Sequence, residues 1–292
     1  MDTVFFSGAC TALVTPFLNG KINLDMLKLL LDRQLEAGIG TIVVCGTTGE
    51  SPTLSDEEKL LIVRTAKEHT GKGCTILAGT GSNDTRHTIT LSKQAEDAGA
   101  DGLLVVSPYY NKATADGLVT HYSAVASAVS IPIVLYNVPG RTGVDIPVTV
   151  YEVLSAIPNI AGVKEATTDI TKITKILHAC PRSFAVWSGN DDRIVPVMSL
   201  GGAGVISVLS NVMPMETQAM TLAAQAGDFD TAAALQIHLQ PLVEQLFSVV
   251  NPIPVKAAMK MIGYDCGECR LPLTPLTHQE YAKLKDVLKQ TV

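Results

Sequence analysis

Lys164 closes the apolar run Ile160-Ala-Gly-Val163, whose length and β-branched residues read as a buried strand, so its amine is carried into the interior of the fold. Most lysines are solvated surface groups. An amine that attacks a carbonyl must be uncharged, and an apolar surround favours that form; a lysine so placed suits imine formation. Glu165 is the obvious ion-pair partner, but adjacent strand residues face opposite sides, so it is expected to point away from the interior. A Schiff base on a 2-oxo acid needs a proton shuttle to expel water and form the enamine, and donors for the carboxylate. Hydroxyls at the ends of other apolar runs can supply both. Tyr136 ends one such run, and Thr47 and Thr48 follow another. In Gly46-Thr-Thr-Gly49-Glu50 two glycines flank the hydroxyls, which lets backbone N–H groups line up as an anion nest. Arg141, in Tyr136-Asn-Val-Pro-Gly-Arg141-Thr, either holds a planar fork over the same region for a second carboxylate or is an ordinary surface arginine.

The elements that must position these groups alternate short apolar runs with longer segments of helical period, the rhythm of a parallel sheet covered by helices. Strands are expected at Cys10–Val14, Thr41–Cys45, Thr75–Ala78, Gly102–Val106, Ile133–Tyr136, Ile160–Val163, Phe184–Trp187 and Val205–Val208. Eight cycles favour a closed (β/α)8 TIM barrel, in which reactive groups gather where the strands end. Those ends carry Thr15, Thr47, Thr48, Thr80, Tyr109, Tyr110, Tyr136, Lys164, Glu165, Ser188, Gly189 and Ser207: mostly hydroxyls, with one lysine. Ser55 and Glu58 form a capping box, and Gly38 and Gly99 stand where helices should stop. After the eighth strand only helical patterns follow, at 214–226, 228–250, 254–262 and 277–290. The expected organisation is a barrel over 1–225 and a helical extension over 226–292.

The remaining composition excludes more than it suggests. With 22 basic against 28 acidic residues and a net charge of -6, and no basic cluster with interleaved aromatics, nucleic acid is not an expected partner. No apolar run is long enough to span a membrane, and Asp2 stands where a signal peptide would be basic, so the expected location is cytoplasmic. The cysteines are scattered through or beside apolar runs, as suits buried thiols in a reducing compartment; Cys266-Gly-Glu-Cys269 lacks the second ligand pair a zinc site needs. The six histidines are isolated, so neither a metal nor another cofactor is expected. Gly79-Thr-Gly81 begins like a dinucleotide fingerprint but lacks its third glycine, Gly201-Gly-Ala-Gly204 precedes a strand and so belongs to packing, and Asp191-Asp192 is expected to cap the following helix.

Gly46-Thr-Thr-Gly-Glu50, Pro108-Tyr-Tyr-Asn111, Tyr136-Asn-Val-Pro139, Lys164-Glu-Ala166 and Asn251-Pro-Ile-Pro-Val-Lys256 together resemble the dihydrodipicolinate synthase family over nearly the whole chain. The resemblance implies a pyruvate-dependent lyase that condenses pyruvate with L-aspartate 4-semialdehyde on the route to diaminopimelate and lysine. It makes Lys164 the Schiff-base lysine, Tyr136 the proton donor and acceptor, and Thr47 and Tyr110 the relay hydroxyls. It also implies that Tyr110 reaches in from a neighbouring subunit, so that a dimer is required and a tetramer is usual, with Tyr109 at the dimer interface. Thr48 would hold the pyruvate carboxylate, the backbone of Ile206 would face the adduct, Arg141 would receive the semialdehyde carboxylate, and Gly189 would lie beside it. Members inhibited by lysine bind it through groups matching Ser51, Asn83 and Tyr109 with a histidine and a glutamate; here Lys59 and His87 take those last two places, which disfavours a ligand with an extra positive charge. Aspartate also occurs in the family where this chain has Asn190. N-acetylneuraminate lyase and other 2-oxo acid aldolases share the lysine and the Tyr-x-x-Pro turn, and Arg141 separates this sequence from them. A barrel that binds a 2-oxo acid without turning it over is the alternative from another class.

Overall fold

The computed structural model describes residues 4–291. Asp2, on which the expectation of no signal peptide rests, lies outside the described residues. Eight parallel strands, β1 Gly8–Ala12, β2 Thr41–Val44, β3 Thr75–Gly79, β4 Gly102–Val106, β5 Ile133–Asn137, β6 Ile160–Glu165, β7 Ala185–Ser188 and β8 Gly204–Ser207, close into a barrel in which each pairs with its chain neighbours and β8 returns to β1. A small hairpin, Phe17–Leu18 with Lys21–Ile22, follows β1. Around the barrel run α1 Leu24–Glu36, α2 Asp56–Thr70, α3 Thr85–Asp97, α4 Ala115–Ala126, the short α5 Pro139–Thr142, α6 Val148–Leu154, α7 Ile170–Ala179, α8 Ile194–Ser199 and α9 Pro214–Gln225. The helices α10 Phe229–Leu246, α11 Ile253–Met261 and α12 His278–Thr291 follow, and their apolar faces join the same core that lies between barrel and helices. Among the described residues no helix is long and apolar enough to cross a membrane.

Local chemistry sets the helix limits. At α2 the capping box is complete: Glu58 N–H donates to Ser55 Oγ (3.2 Å) and Ser55 N–H to Glu58 Oε2 (3.0 Å). Helices α1 and α3 end on Ala37 and Ala98, each followed by a glycine with positive φ, Gly38 at 80° and Gly99 at 95°.

Two apolar layers result from strand alternation. The barrel interior is filled by Phe6, Cys10, Ala12, Val43, Leu77, Leu104, Val134, Tyr136, Ala185, Trp187 and Ile206, with Phe6 and Trp187 stacked at 4.4 Å. Alternate residues such as Leu135, Val163 and Val205 face outward against the helices. One strand breaks the alternation. Ile160 pairs with Ile133 and Gly162 with Val134, so Ala161 is an extra residue in β6, a β-bulge. Ile160 therefore faces outward, whereas Gly162 and Lys164, of the same parity, face inward. The bulge sits at Gly162, whose φ is +150°; a Cβ there would lie 2.0 Å from the Ala185 carbonyl oxygen. Regular alternation from Ile160 would have turned Lys164 outward, so its inward direction depends on this one inserted residue.

The expected strands correspond to these eight with shifts of up to two residues. The largest is β1, which occupies Gly8–Ala12 instead of Cys10–Val14 because its ladder to β8 begins at Gly8 opposite Gly204. The glycine-rich turn before β8 is a packing device, as expected: a Cβ at Gly204 would lie 2.0 Å from Gly8 O, and one at Gly202 2.5 Å from Val197 Cγ1.

Candidate active site

Three lysines are buried in this fold: Lys164 and Lys256 at 4% exposure and Lys172 at 7%. Lys172 sits with Glu165 at 3.5 Å and hydrogen-bonds Asp145, and Lys256 sits 2.8 Å from Glu50. Lys164 has no carboxylate within ion-pair distance among the described residues. Its Nζ stands 4.5 Å from the centroid of the Tyr136 ring, its register partner on β5. A buried lysine is normally paired with an acid, and this one faces an aromatic ring.

Glu165 points away from Lys164, as strand alternation requires. Behind the barrel wall it accepts hydrogen bonds from Asn137 Nδ2 (2.8 Å) and the Tyr151 hydroxyl (2.9 Å). Burial pushes its carboxyl above the usual carboxylate range, opposed by the Lys172 charge and these bonds.

A cavity of 460 Å³ opens where β2 to β5 end, lined by Thr47, Tyr136, Arg141, Ser51, Lys59, His87 and Tyr109 among others. Thr48 lies 2% exposed in the Gly46–Glu50 turn. That turn closes on itself through Glu50 N–H to Thr47 O (3.1 Å) and Ser51 N–H to Gly46 O (3.2 Å), while among the described residues the N–H groups of Thr47 and Thr48 have no acceptor in the chain. This geometry fits the nest expected for a carboxylate. Arg141, on α5, overhangs the cavity and donates from Nη2 to the carbonyl of Asn251 (3.1 Å). Ile206 is fully buried in the interior cluster with Tyr136, and Gly189 follows β7, its N–H donating to Glu165 O (2.8 Å). A side chain at Gly189 would meet Ala166 Cβ at 2.8 Å, so the rim there admits only glycine without adjustment.

Tyr110 does not join this group within one chain. It is 89% exposed, with φ +71°, and projects from the loop after β4. Of the five residues matched to a regulatory pocket, Ser51, Lys59, His87 and Tyr109 line the cavity; Asn83 does not, though its carbonyl accepts from Asn111 Nδ2 (2.9 Å) on the adjoining loop. Between Lys59 and His87 stands Asp56, 3.5 Å from Lys59 Nζ and 2.8 Å from His87 Nε2.

The expectation for Asp191-Asp192 is overturned. Asp191 caps neither the 3-10 turn it begins nor α8; its Oδ2 accepts the N–H groups of Val208 and Leu209 (both 2.9 Å), pinning the loop after β8 beside the site. Burial pushes its carboxyl up, opposed by the Ser207 hydroxyl, those N–H groups and the Lys164 charge. An acidic pair at the start of a helix reads as a cap, and nothing in its spacing signals a partner on another strand. The glycines of Gly79-Thr-Gly81 likewise serve strand packing: a Cβ at Gly79 would lie 2.2 Å from Cys45 O. Among the described residues no group of three or more His, Cys, Asp or Glu could hold a metal. Cys266 and Cys269 are free thiols, both pushed up to about 12, chiefly by burial.

Comparison with known proteins bears directly on this site. The model of the dihydrodipicolinate synthetase family matches residues 5–291, the barrel and the helices that follow it. The chain belongs to that family. The 4-hydroxy-tetrahydrodipicolinate synthase of Acetivibrio thermocellus is 45% identical over 289 residues, spanning 99% of this chain and 98% of the relative. Among solved structures, the 4-hydroxy-tetrahydrodipicolinate synthase of Methylacidiphilum fumariolicum SolV is 44% identical with a TM-score of 0.96, covering 98% of this chain and 96% of that one. The dihydrodipicolinate synthase of Cyanidioschyzon merolae, solved with lysine bound, is 37% identical with a TM-score of 0.96, and 99% of each chain is covered. The family's activity is that of a class I aldolase-type lyase in the biosynthesis of diaminopimelate and lysine, and so is this chain's.

Proposed function

We propose that this enzyme condenses pyruvate with L-aspartate 4-semialdehyde through a Schiff base on Lys164, giving 4-hydroxy-tetrahydrodipicolinate. The observation that carries the proposal is the lysine itself: among the described residues it is the one buried lysine without a carboxylate partner, and it faces the phenol ring of Tyr136. Its free amine attacks the pyruvate carbonyl carbon, and water leaves to form the imine. Loss of a methyl proton gives the enamine, whose carbon attacks the aldehyde of the second substrate. Tyr136 donates and accepts the protons of these steps, and Thr47 relays them. The amine of the semialdehyde then closes on the imine carbon and expels Lys164. Thr48 and the adjoining N–H groups hold the pyruvate carboxylate beside the backbone of Ile206, while Arg141 receives the carboxylate of the semialdehyde near Gly189.

The exposure of Tyr110 on the loop after β4 supports a site completed by a second copy of the enzyme. The working form is then at least a homodimer, with a tetramer as the fuller assembly, Tyr109 at the interface and the cytoplasm as its location. The cavity at Ser51, Lys59, His87 and Tyr109, with Asn83 on the adjoining loop, takes L-lysine poorly, because Lys59 adds a fixed positive charge, no carboxylate stands at residue 87, and Asp56 is engaged by both Lys59 and His87.

Incubation with pyruvate and borohydride, followed by mass spectrometry, tests the proposal. One pyruvyl group should be fixed on Lys164 of wild type and none on Lys164→Ala. In parallel, pyruvate-dependent consumption of aspartate semialdehyde should be seen and consumption of N-acetylmannosamine should not. Turnover of the sugar alone would make this a related aldolase, and pyruvate binding with neither adduct nor turnover would make it a non-catalytic barrel.

A further inference from the structure

Asn251 lies in the segment between α10 and α11, far in sequence from every group assigned above, and is 4% exposed. It touches two of them. Its Nδ2 donates to Thr48 Oγ1 at 3.0 Å, and its backbone carbonyl accepts Arg141 Nη2 at 3.1 Å. Its Oδ1 is buried with no partner among the described residues.

A threonine hydroxyl can donate or accept, and what it offers a ligand is decided by its other partner. Here the amide hydrogen of Asn251 occupies a lone pair of Thr48 Oγ, so the Thr48 proton is left to donate. With the amide reversed, Oδ1 would take that proton, Thr48 would present only lone pairs, and two N–H donors would be stranded where one carbonyl oxygen now stands, the costlier arrangement. We infer that Asn251 is a positioning residue for pyruvate: its amide fixes Thr48 as a hydrogen-bond donor toward the pyruvate carboxylate, while its main-chain carbonyl independently holds Arg141 for the second substrate. This rests on the pyruvate reading of Thr48 given above.

Because the two tethers use different parts of one residue, side-chain substitution separates them. In Asn251→Ala, Thr48 loses its donor and the KM for pyruvate should rise about tenfold, the usual effect of one such bond. In Asn251→Asp, a carboxylate would draw the Thr48 proton to itself and repel the ligand, so the rise should be larger, about a hundredfold. For both variants kcat at saturating pyruvate and the KM for aspartate semialdehyde should stay within about twofold of wild type, since the carbonyl that holds Arg141 remains. In a Thr48→Val background, Asn251→Ala should add nothing to the pyruvate KM.

Equal increases in both KM values would overturn the inference, because a merely structural residue releases Arg141 along with Thr48. An unchanged pyruvate KM in Asn251→Ala would overturn it as well. Should Asn251→Asp not fold, the comparison of Asn251→Ala in the two backgrounds decides the question alone. Failure of wild type to form a pyruvate adduct is a separate result, which removes the pyruvate reading and leaves the KM comparison without a subject.

Discussion

Replacing Gly162 by alanine tests whether the β6 bulge aims Lys164. An ideal Cβ at this position lies 2.0 Å from the Ala185 carbonyl oxygen and 2.7 Å from the Ala185 nitrogen, both main-chain atoms of β7. The first contact is about 1.5 Å short of a normal separation, and no rotamer relieves it because the obstacle is backbone. Strand β7 is held on its far side by β8, through Trp187 opposite Gly204, so the strain cannot be shed by moving one strand. Overpacking costs about 1–3 kcal/mol, a side chain at φ +150° about 1–3, and a lost ladder bond about 1. Allowing for overlap among these terms, Gly162→Ala should destabilise by about 3–6 kcal/mol, a large part of the roughly 5–15 kcal/mol that holds a domain. If the chain relieves the clash by losing the bulge, Val163 takes the place opposite Tyr136 and Lys164 turns outward. The assays are urea unfolding and borohydride trapping of pyruvate, with Gly40→Ala as control, since a Cβ there has nothing within 4 Å. A Gly162→Ala protein within about 1 kcal/mol of wild type that still forms the adduct would refute the reasoning.

Tyr136→Phe keeps the ring over Lys164 and removes the hydroxyl proposed to transfer protons, so kcat should fall by about 10²–10⁴ while the protein stays folded by circular dichroism. L-lysine should fail to inhibit at submillimolar concentration in a steady-state titration. His121, on α4, is held by burial at a pKa of about 4 instead of 6.5, with Nδ1 against Thr85 Oγ1 at 2.9 Å and Nε2 without a partner. The unfolded chain binds a proton near pH 6.5 that the folded one refuses until about 4, so stability should fall as pH drops through that window, by up to about 3 kcal/mol. Urea midpoints at several pH values should show a shallower decline for His121→Leu than for wild type.

Much of the site is legible in the sequence because its groups stand at strand ends, where apolar runs stop and polar residues begin. Lys164, Tyr136 and Thr47 are found that way, and the capping box at Ser55 and Glu58 depends only on local spacing. What escapes depends on partners distant in the chain. The bulge at Ala161 leaves no mark in periodicity, since one inserted residue in a short run looks like a frame of a different strand. The inward direction expected of Lys164 is right, yet a strict alternation counted from Ile160 would have reversed it. Asp191 reads as a cap until β8 is seen beside it. Asn251 carries no signal beyond its family motif, because its role follows from a turn some two hundred residues earlier.

The closing helices bear on how the enzyme comes into being on the ribosome. Glu50, at the end of the Gly46–Glu50 turn, is buried against Lys256, and its Oε2 also accepts the Arg270 N–H at 2.8 Å. Arg270 reaches Glu58 of α2 as well, at 2.5 Å. A nascent chain emerged only as far as residue 225 would contain all eight strands but none of these partners. Removing one side of such a buried pair costs about 3–5 kcal/mol, so the Gly46–Glu50 turn has no reason to settle early. Synthesis therefore separates making the barrel from arming it. The last part translated fixes the loop after β2, and a prematurely terminated chain carries Lys164 beside a turn that has not settled.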